Sequence, residues 1–205
     1  MSEPAARSEN SARIDLGEGA WLEWWPRFLA PEDRPGVEAL ASELPLRPDT
    51  FTLFGKTVPV PRLLSWHGDP GCSYRYSGQT YPPTPWTPTL LRLRAALFEE
   101  TGLDFNGVLA NYYRDGADSM GWHSDDEREL GPSPDDIAIA SISLGAERRF
   151  RMRHRQDGRG RDGPLPDGSL LLMRGTTQRH WKHSLPKTRR PIGPRLNLTF
   201  RMLCR

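Results

Sequence analysis

Apolar positions along the chain recur first at helical spacing and later at every second residue. In "PEDRPGVEALASEL", Val37, Leu40, Ala41 and Leu44 fall on one side at helical spacing, which predicts a short amphipathic helix. "TPTLLRLRAALFEETG" predicts a longer one. Leu90, Leu93 and Leu97 share a face, Thr87 can cap the start, Pro88 suits the first turn and Gly102 can end it. Beyond that the period changes to two. "FNGVLANYY", "IAIASISLG", "RRFRMRH", "SLLLMRG" and "RLNLTFRML" alternate between Gly-, Pro- and Asp-rich turns, the pattern of a β-sandwich or jelly roll. Earlier, "FTLFGKTVPVP" reads as a hairpin, "WLEWWPRFLA" as a core edge, and Ser65 to Pro88 as an ordered but irregular loop. Residues 1–20 are small and polar, and a disordered tail is expected there.

Composition adds bounds to this picture. The chain has 205 residues, 36% hydrophobic and 26% charged, which suits one globular domain with a substantial core. No apolar run is long enough for a membrane helix, and no signal-peptide run opens the chain. Cys72 and Cys204 have no partner spacing, so neither a disulfide framework nor a zinc knuckle is indicated, and a reducing cytoplasmic setting is expected. Net charge is only +2, but it is unevenly spread: residues 1–147 carry 12 Lys/Arg against 23 Asp/Glu, and residues 148–205 carry 16 against 3. Such a basic half either coats a solvated surface or grips phosphates by releasing counterions.

The candidate chemistry sits in two remote stretches. In "GWHSDDEREL", residues i and i+2 of an extended strand point the same way, so His123 and Asp125 can face one metal ion. "HWKHSLP" offers His180 or His183 as a third ligand. Two histidines and a carboxylate suit a non-haem Fe(II) oxygenase, although a zinc hydrolase can use the same set. "RLNLTFRML" separates the two readings. Leu196, Leu198, Phe200 and Met202 take one face; Arg195, Asn197, Thr199 and Arg201 take the other. At ~3.3 Å per residue the two arginine Cα atoms lie roughly 20 Å apart. Their long guanidinium arms, leaning inward, can hold a small dicarboxylate between them. An iron enzyme with a diacid cosubstrate is therefore favoured.

Taken in order over about residues 50–205, "NYYRDG", "GWHSDDE", "ISLGAERRFRMRH", "GSLLLMRG", "HWKHSLP" and "PRLNLTFR" resemble the AlkB family of Fe(II)/2-oxoglutarate dioxygenases. The likeness is to its branch that repairs alkylated DNA, duplex DNA included. The resemblance implies a fold that is mainly β with flanking helices (α+β), built on a double-stranded β-helix, or jelly-roll, core. It implies one domain over residues 21–205, with a helical nucleotide-recognition part (21–104) and a catalytic core (105–205). It further implies Fe(II) held by His123, Asp125 and His183, the last because it directly precedes "SLP". Contacts to the cosubstrate 2-oxoglutarate would come from Asn111, Tyr113, Arg195, Thr199 and Arg201, with Asn197 in the same ladder. With O2, the implied reaction removes N-methyl groups from 1-methyladenine and 3-methylcytosine, releasing formaldehyde, succinate and CO2. RNA or protein is the alternative target.

Those methylated bases are cationic, and Asp126 is the expected selector, with Glu127 second and Glu129 merely solvated. A base in a duplex must leave the stack before it reaches a metal. Phe54, beside Gly55 at the hairpin tip, is the expected wedge, and Lys56 would sit on a phosphate. Tyr74 and Tyr76 would stack on the extruded base. The expectation is a monomer in the cytoplasm, nucleoid-associated in a bacterium and away from membranes.

Overall fold

The computed structural model describes residues 11–53, 56–76, 79–131 and 133–203. In chain order its first half holds β1 (Ala12–Gly17), β2 (Ala20–Trp25), α1 (Val37–Glu43), β3 (Arg47–Leu53), β4 (Lys56–Gly68), β5 (Tyr74–Tyr76), β6 (Gln79–Tyr81) and α2 (Pro88–Thr101). The second half holds β7 (Gly107–Tyr113), β8 (Met120–His123), β9 (Ile139–Gly145), β10 (Arg148–His154), β11 (Gly160–Leu165) and β12 (Ser169–Gly175). The one-turn α3 (Thr177–His180), β13 (Trp181–Leu185) and β14 (Arg195–Arg201) close the chain. A major sheet of eight strands, ordered β1-β2-β12-β9-β14-β7-β4-β3, faces a minor sheet ordered β11-β10-β13-β8. Every ladder within these two sheets is antiparallel, so the fold is the jelly roll that the period-two pattern predicts.

Alternation in the central strands serves two cores at once. The apolar face of β14, with Leu196, Leu198 and Phe200, packs outward under α2. Leu90, Leu93 and Leu97 of that helix are wholly buried against it, as their spacing predicts. Thr87 caps α2 by accepting from the Leu90 amide, and Gly102 ends it at φ 68°, where only glycine sits without strain. The opposite face of the major sheet looks across at Met152 and Leu185 of the minor sheet. Polar residues of β14 point into that gap, and the gap holds the candidate site.

The first half differs from the sequence reading. Its tail ends earlier than expected: β1 starts at Ala12 and pairs with β2, which adds to β12, because Ile14 and Leu16 alternate inward and the polar stretch hid that pair. Nor is the part before residue 104 chiefly helical; β1 to β4 extend the major sheet on both sides. The hairpin forms as predicted, with Leu53 opposite Lys56, but β4 runs on to Gly68 through the region read as loop. β5 and β6 also lie in that stretch, and in the second half β8, β11 and β13 had no signal of their own, since each is short and broken by Gly, Pro or charge. Among the described residues no helix is long and apolar enough to cross a membrane.

Burial of one helix face gives a stability contrast. Leu97→Ala is expected to cost about 2–5 kcal/mol in denaturant unfolding, whereas Leu91→Ala, 47% exposed on the same helix, changes stability by about 0.5 kcal/mol or less.

Candidate active site

Strand pairing brings the ligand candidates together. β13 lies against β8 in a register that sets His183 directly opposite His123. Cross-strand neighbours on one face lie within side-chain reach, and here the ring centroids are 4.1 Å apart. β8 stops at His123, so Asp125 is not placed by strand alternation. Its backbone amide donates to Oε1 of buried Gln178 on α3 (2.9 Å), which folds the carboxylate back between the imidazoles. Ligating atoms of His123, Asp125 and His183 all lie within 4.8 Å of one another.

The donor set fits a divalent metal. Nδ1 of His123 faces the Gly121 carbonyl at 2.9 Å, so that nitrogen carries the proton and Nε2 keeps its lone pair. Burial, with the neighbouring His183, pushes the His123 imidazole down to about 3, favouring the neutral form that a ligand needs. Burial by itself would raise the Asp125 carboxyl, but the Arg201 guanidinium and the two imidazoles hold it well below the usual range. Arg201 donates to Asp125 Oδ1 at 2.5 Å, while Oδ2 faces His183 Nε2 at 3.4 Å. One carboxylate oxygen is thus fixed and the other directed at the centre.

Beside the triad lies a cavity lined by Asn111, Tyr113, Arg195, Asn197, Thr199 and Arg201, with apolar walls from Leu109, Leu165 and Met173. β7 and β14 pair so that Tyr113 sits opposite Arg195 and Asn111 opposite Asn197. Asn197 is cross-braced to the Ser141 hydroxyl (2.7 Å), and Thr199 donates to Asn197 Oδ1 (2.9 Å). Arg195 is fully buried, yet its bonds go to neutral groups, the Leu165 carbonyl and the Ser143 hydroxyl. Among the described residues no carboxylate pairs with it. Burial pushes its guanidinium down to about 10. Arg195 Nε, and Nε and Nη1 of Arg201, are buried without partners. A buried cation in neutral company, with orphan donors around the cavity, fits a small dianion.

The expected substrate residues fare unevenly. Phe54, Gly55 and the Tyr76 side chain lie outside the described residues. Lys56 is exposed at the start of β4, as a phosphate contact requires. Tyr74 is not a free stacking platform: it is buried, stacked on Trp66 at 4.6 Å, with Arg201 over its ring. Asp126 points away and pairs with Arg155 at the surface (2.8 Å), while His180 joins other partners. Glu127 stands by the triad instead, accepting from the Tyr74 hydroxyl (2.7 Å). Burial and the nearby Asp125 charge raise its carboxyl. Asp126 was expected from the family resemblance, and the chain has already left the strand at that point, so alternation does not fix its direction.

Sequence reasoning also missed Arg62, whose Nε donates to Asn111 Oδ1 (2.7 Å), and Gln178. Arg62 left a signal: it is the one charge at the inward positions Val60, Arg62, Leu64 and Trp66 of β4. On the outer face of the minor sheet, Trp122 lies under Arg151 and Arg153. A neighbouring groove is lined by Arg148, Arg149, Lys187 and Arg190. Part of the basic half of the chain thus gathers on this face, although Asp162 pairs with Arg149 and Arg151 there, and Arg148, Arg195 and Arg201 are buried.

Residues 22–201 match the model of the 2OG-Fe(II) oxygenase superfamily. The chain is 48% identical over 161 residues to mouse DNA oxidative demethylase ALKBH2, covering 74% of this chain and 65% of that protein. It is 37% identical over 198 residues to mouse alpha-ketoglutarate-dependent dioxygenase alkB homolog 3, covering 92% of this chain and 63% of that protein. The chain spans about 56–65% of the length of the mouse, human and cattle ALKBH2 proteins. The solved structure of OsALKBH1 superposes with a TM-score of 0.60 at 16% identity, over 93% of this chain and all of that one, which supports the fold.

Removing one partner of the buried Asp125–Arg201 pair strands a charge. Arg201→Met is expected to destabilise the metal-free protein by about 3–5 kcal/mol in denaturant melts. The double change Arg201→Met with Asp125→Asn should recover part of that loss.

Proposed function

The chain belongs to the 2OG-Fe(II) oxygenase superfamily, as an AlkB-type member, and on that premise we propose that it is a DNA oxidative demethylase acting on N-methylated bases. The observation that carries this reading is the convergence of three neutral-or-anionic metal donors with a buried, carboxylate-free guanidinium in one cavity. Ferrous iron with 2-oxoglutarate supplies the oxidising power: O2 is consumed, the keto acid leaves as succinate and CO2, and the hydroxylated N-methyl group departs as formaldehyde.

The chain's own residues prepare that chemistry. His123, Asp125 and His183 would hold the metal from one side, leaving other positions open. Arg195, with Tyr113 opposite it, would take the remote carboxylate of the diacid, and Asn111, Asn197 and Thr199 would line its flank. Arg201 keeps the Asp125 carboxylate ionised and oriented. Leu109, Leu165 and Met173 exclude water, which strengthens each of these polar contacts. Arg62 fixes the orientation of the Asn111 amide by donating to its Oδ1.

Substrate choice would rest on charge and shape. Glu127, braced by the Tyr74 hydroxyl, would set a carboxyl group beside Asp125 that ionises against a cationic base such as 1-methyladenine or 3-methylcytosine and so favours it over its neutral counterpart. Trp122 and its arginine neighbours would hold the sugar-phosphate backbone near the opening. The names of the relatives, DNA oxidative demethylase among them, support DNA over RNA as the target.

Purified protein incubated with Fe(II), ascorbate, 2-oxoglutarate and oligonucleotides bearing 1-methyladenine should release formaldehyde from DNA more efficiently than from RNA of the same sequence. His123→Ala should abolish release while leaving oligonucleotide binding intact. Equal turnover in His123→Ala, or turnover on RNA alone, contradicts the proposal. A charge-assisted contact of about 1.5–3 kcal/mol at Glu127 implies that Glu127→Gln lowers kcat/KM on 1-methyladenine by roughly 10- to 100-fold.

A further inference from the structure

A second group of metal-binding side chains lies outside the cavity. Glu18, at the turn between β1 and β2, His154, at the end of β10, and His180, the last residue of α3, bring three ligating atoms within 4.8 Å of one another. Glu18 Oε2 stands 2.8 Å from His154 Nε2 and 3.5 Å from His180 Nδ1. The two imidazole rings are nearly parallel, with centroids 6.0 Å apart. None of these residues belongs to the triad or lines its cavity.

Three separate segments are held in place to form this group. Glu18 has φ 56°, a conformation that a residue with a side chain rarely adopts, and the surroundings impose it. The Thr176 hydroxyl donates to the Glu18 carbonyl (2.6 Å), and the Thr176 amide donates to the Gly19 carbonyl (3.2 Å). The helical turn after Thr176 then presents His180. The Arg155 amide donates to the His180 carbonyl (2.8 Å), tying that histidine to the end of β10.

The position of His154 suits a metal ligand. It is 2% exposed and lies between two carboxylates: Nε2 faces Glu18, and Nδ1 faces Asp157 Oδ1 at 3.0 Å. The Asp157 amide also donates to Nδ1 (3.5 Å), so without a metal a neutral ring can give its proton to Glu18 and accept from that amide. With a metal ion on Nε2, Nδ1–H donates to Asp157, the carboxylate–histidine–metal arrangement that orients most ligating histidines. Two imidazole nitrogens and a carboxylate oxygen, with a water as fourth ligand, are a donor set that zinc accepts. Two carboxylates against one nearby guanidinium, that of Arg159 at 3.9 Å from Glu18, leave the local charge negative.

We propose that Glu18, His154 and His180 bind a divalent ion of the zinc type, with Asp157 holding His154 from behind. The site is structural: it fastens the β1–β2 hairpin to the end of the minor sheet that carries His183. It stands independently of the demethylase reading.

The test is metal stoichiometry on the full chain, stripped with chelator, loaded with Zn(II), passed over a desalting column and measured by atomic emission. Wild-type protein should retain two equivalents, His180→Ala one, and His123→Ala one, the last reporting the triad separately. Equal zinc content in His180→Ala and wild type overturns the proposal and leaves the cluster a salt-bridged tether only. Glu18→Gln changes an exposed side chain without altering its shape, and serves if His180→Ala fails to fold by circular dichroism. In that variant the Zn(II) dissociation constant of the second site should weaken tenfold or more, and an unchanged constant overturns the assignment.

Discussion

The ion pair between Asp125 and Arg201 joins the two halves of the molecule. Asp125 follows the last strand of the minor sheet, and Arg201 ends the strand at the centre of the major one, so their 2.5 Å contact crosses the gap of the jelly roll. Both side chains are almost wholly removed from water. Burying two charges is costly, and replacing such a pair with apolar groups is often neutral or stabilising. The pair is therefore better understood as a device of position. It keeps a carboxylate charged in a place where burial alone would protonate it, and it aims the free oxygen at two imidazoles.

The remainder of the site follows from sheet register. Pairing of β13 with β8 fixes one histidine opposite the other, and pairing of β14 with β7 fixes Tyr113 opposite Arg195. A shift by one residue in either ladder would turn these side chains to the other face. The apolar face of β14, locked under α2, opposes such a shift. Packing on one side of the sheet thus preserves chemistry on the other, through alternation along a single strand.

Much of this was legible in the sequence where periodicity was strong. Arg195, Asn197, Thr199 and Arg201 could be placed because Leu196, Leu198 and Phe200 alternate with them without a break. The helix α2 announced both of its ends through Thr87 and Gly102. Short elements were hidden, because a four-residue strand such as Met120–His123 offers two inward positions and no pattern. The acids that follow His123 were less legible still. Asp126 was expected there from the family resemblance, whereas the chain leaves the strand after His123, pairs Asp126 with Arg155 at the surface and turns Glu127 inward to Tyr74. The Tyr74 ring was read as a stacking face for the extruded base, since nothing local reveals that Trp66 covers it. The second histidine cluster escaped notice because its members are 136 and 26 positions apart and one of them lies in a segment read as tail.

The central claim is that one metal ion sits between His123, Asp125 and His183 with a keto diacid anchored on Arg195. Anomalous diffraction from crystals grown without oxygen in Fe(II) and 2-oxoglutarate tests it directly. The account predicts an iron peak bonded to those three side chains and a carboxylate paired with the Arg195 guanidinium. Iron bound elsewhere, or a diacid that leaves Arg195 with only its carbonyl and hydroxyl partners, would contradict it.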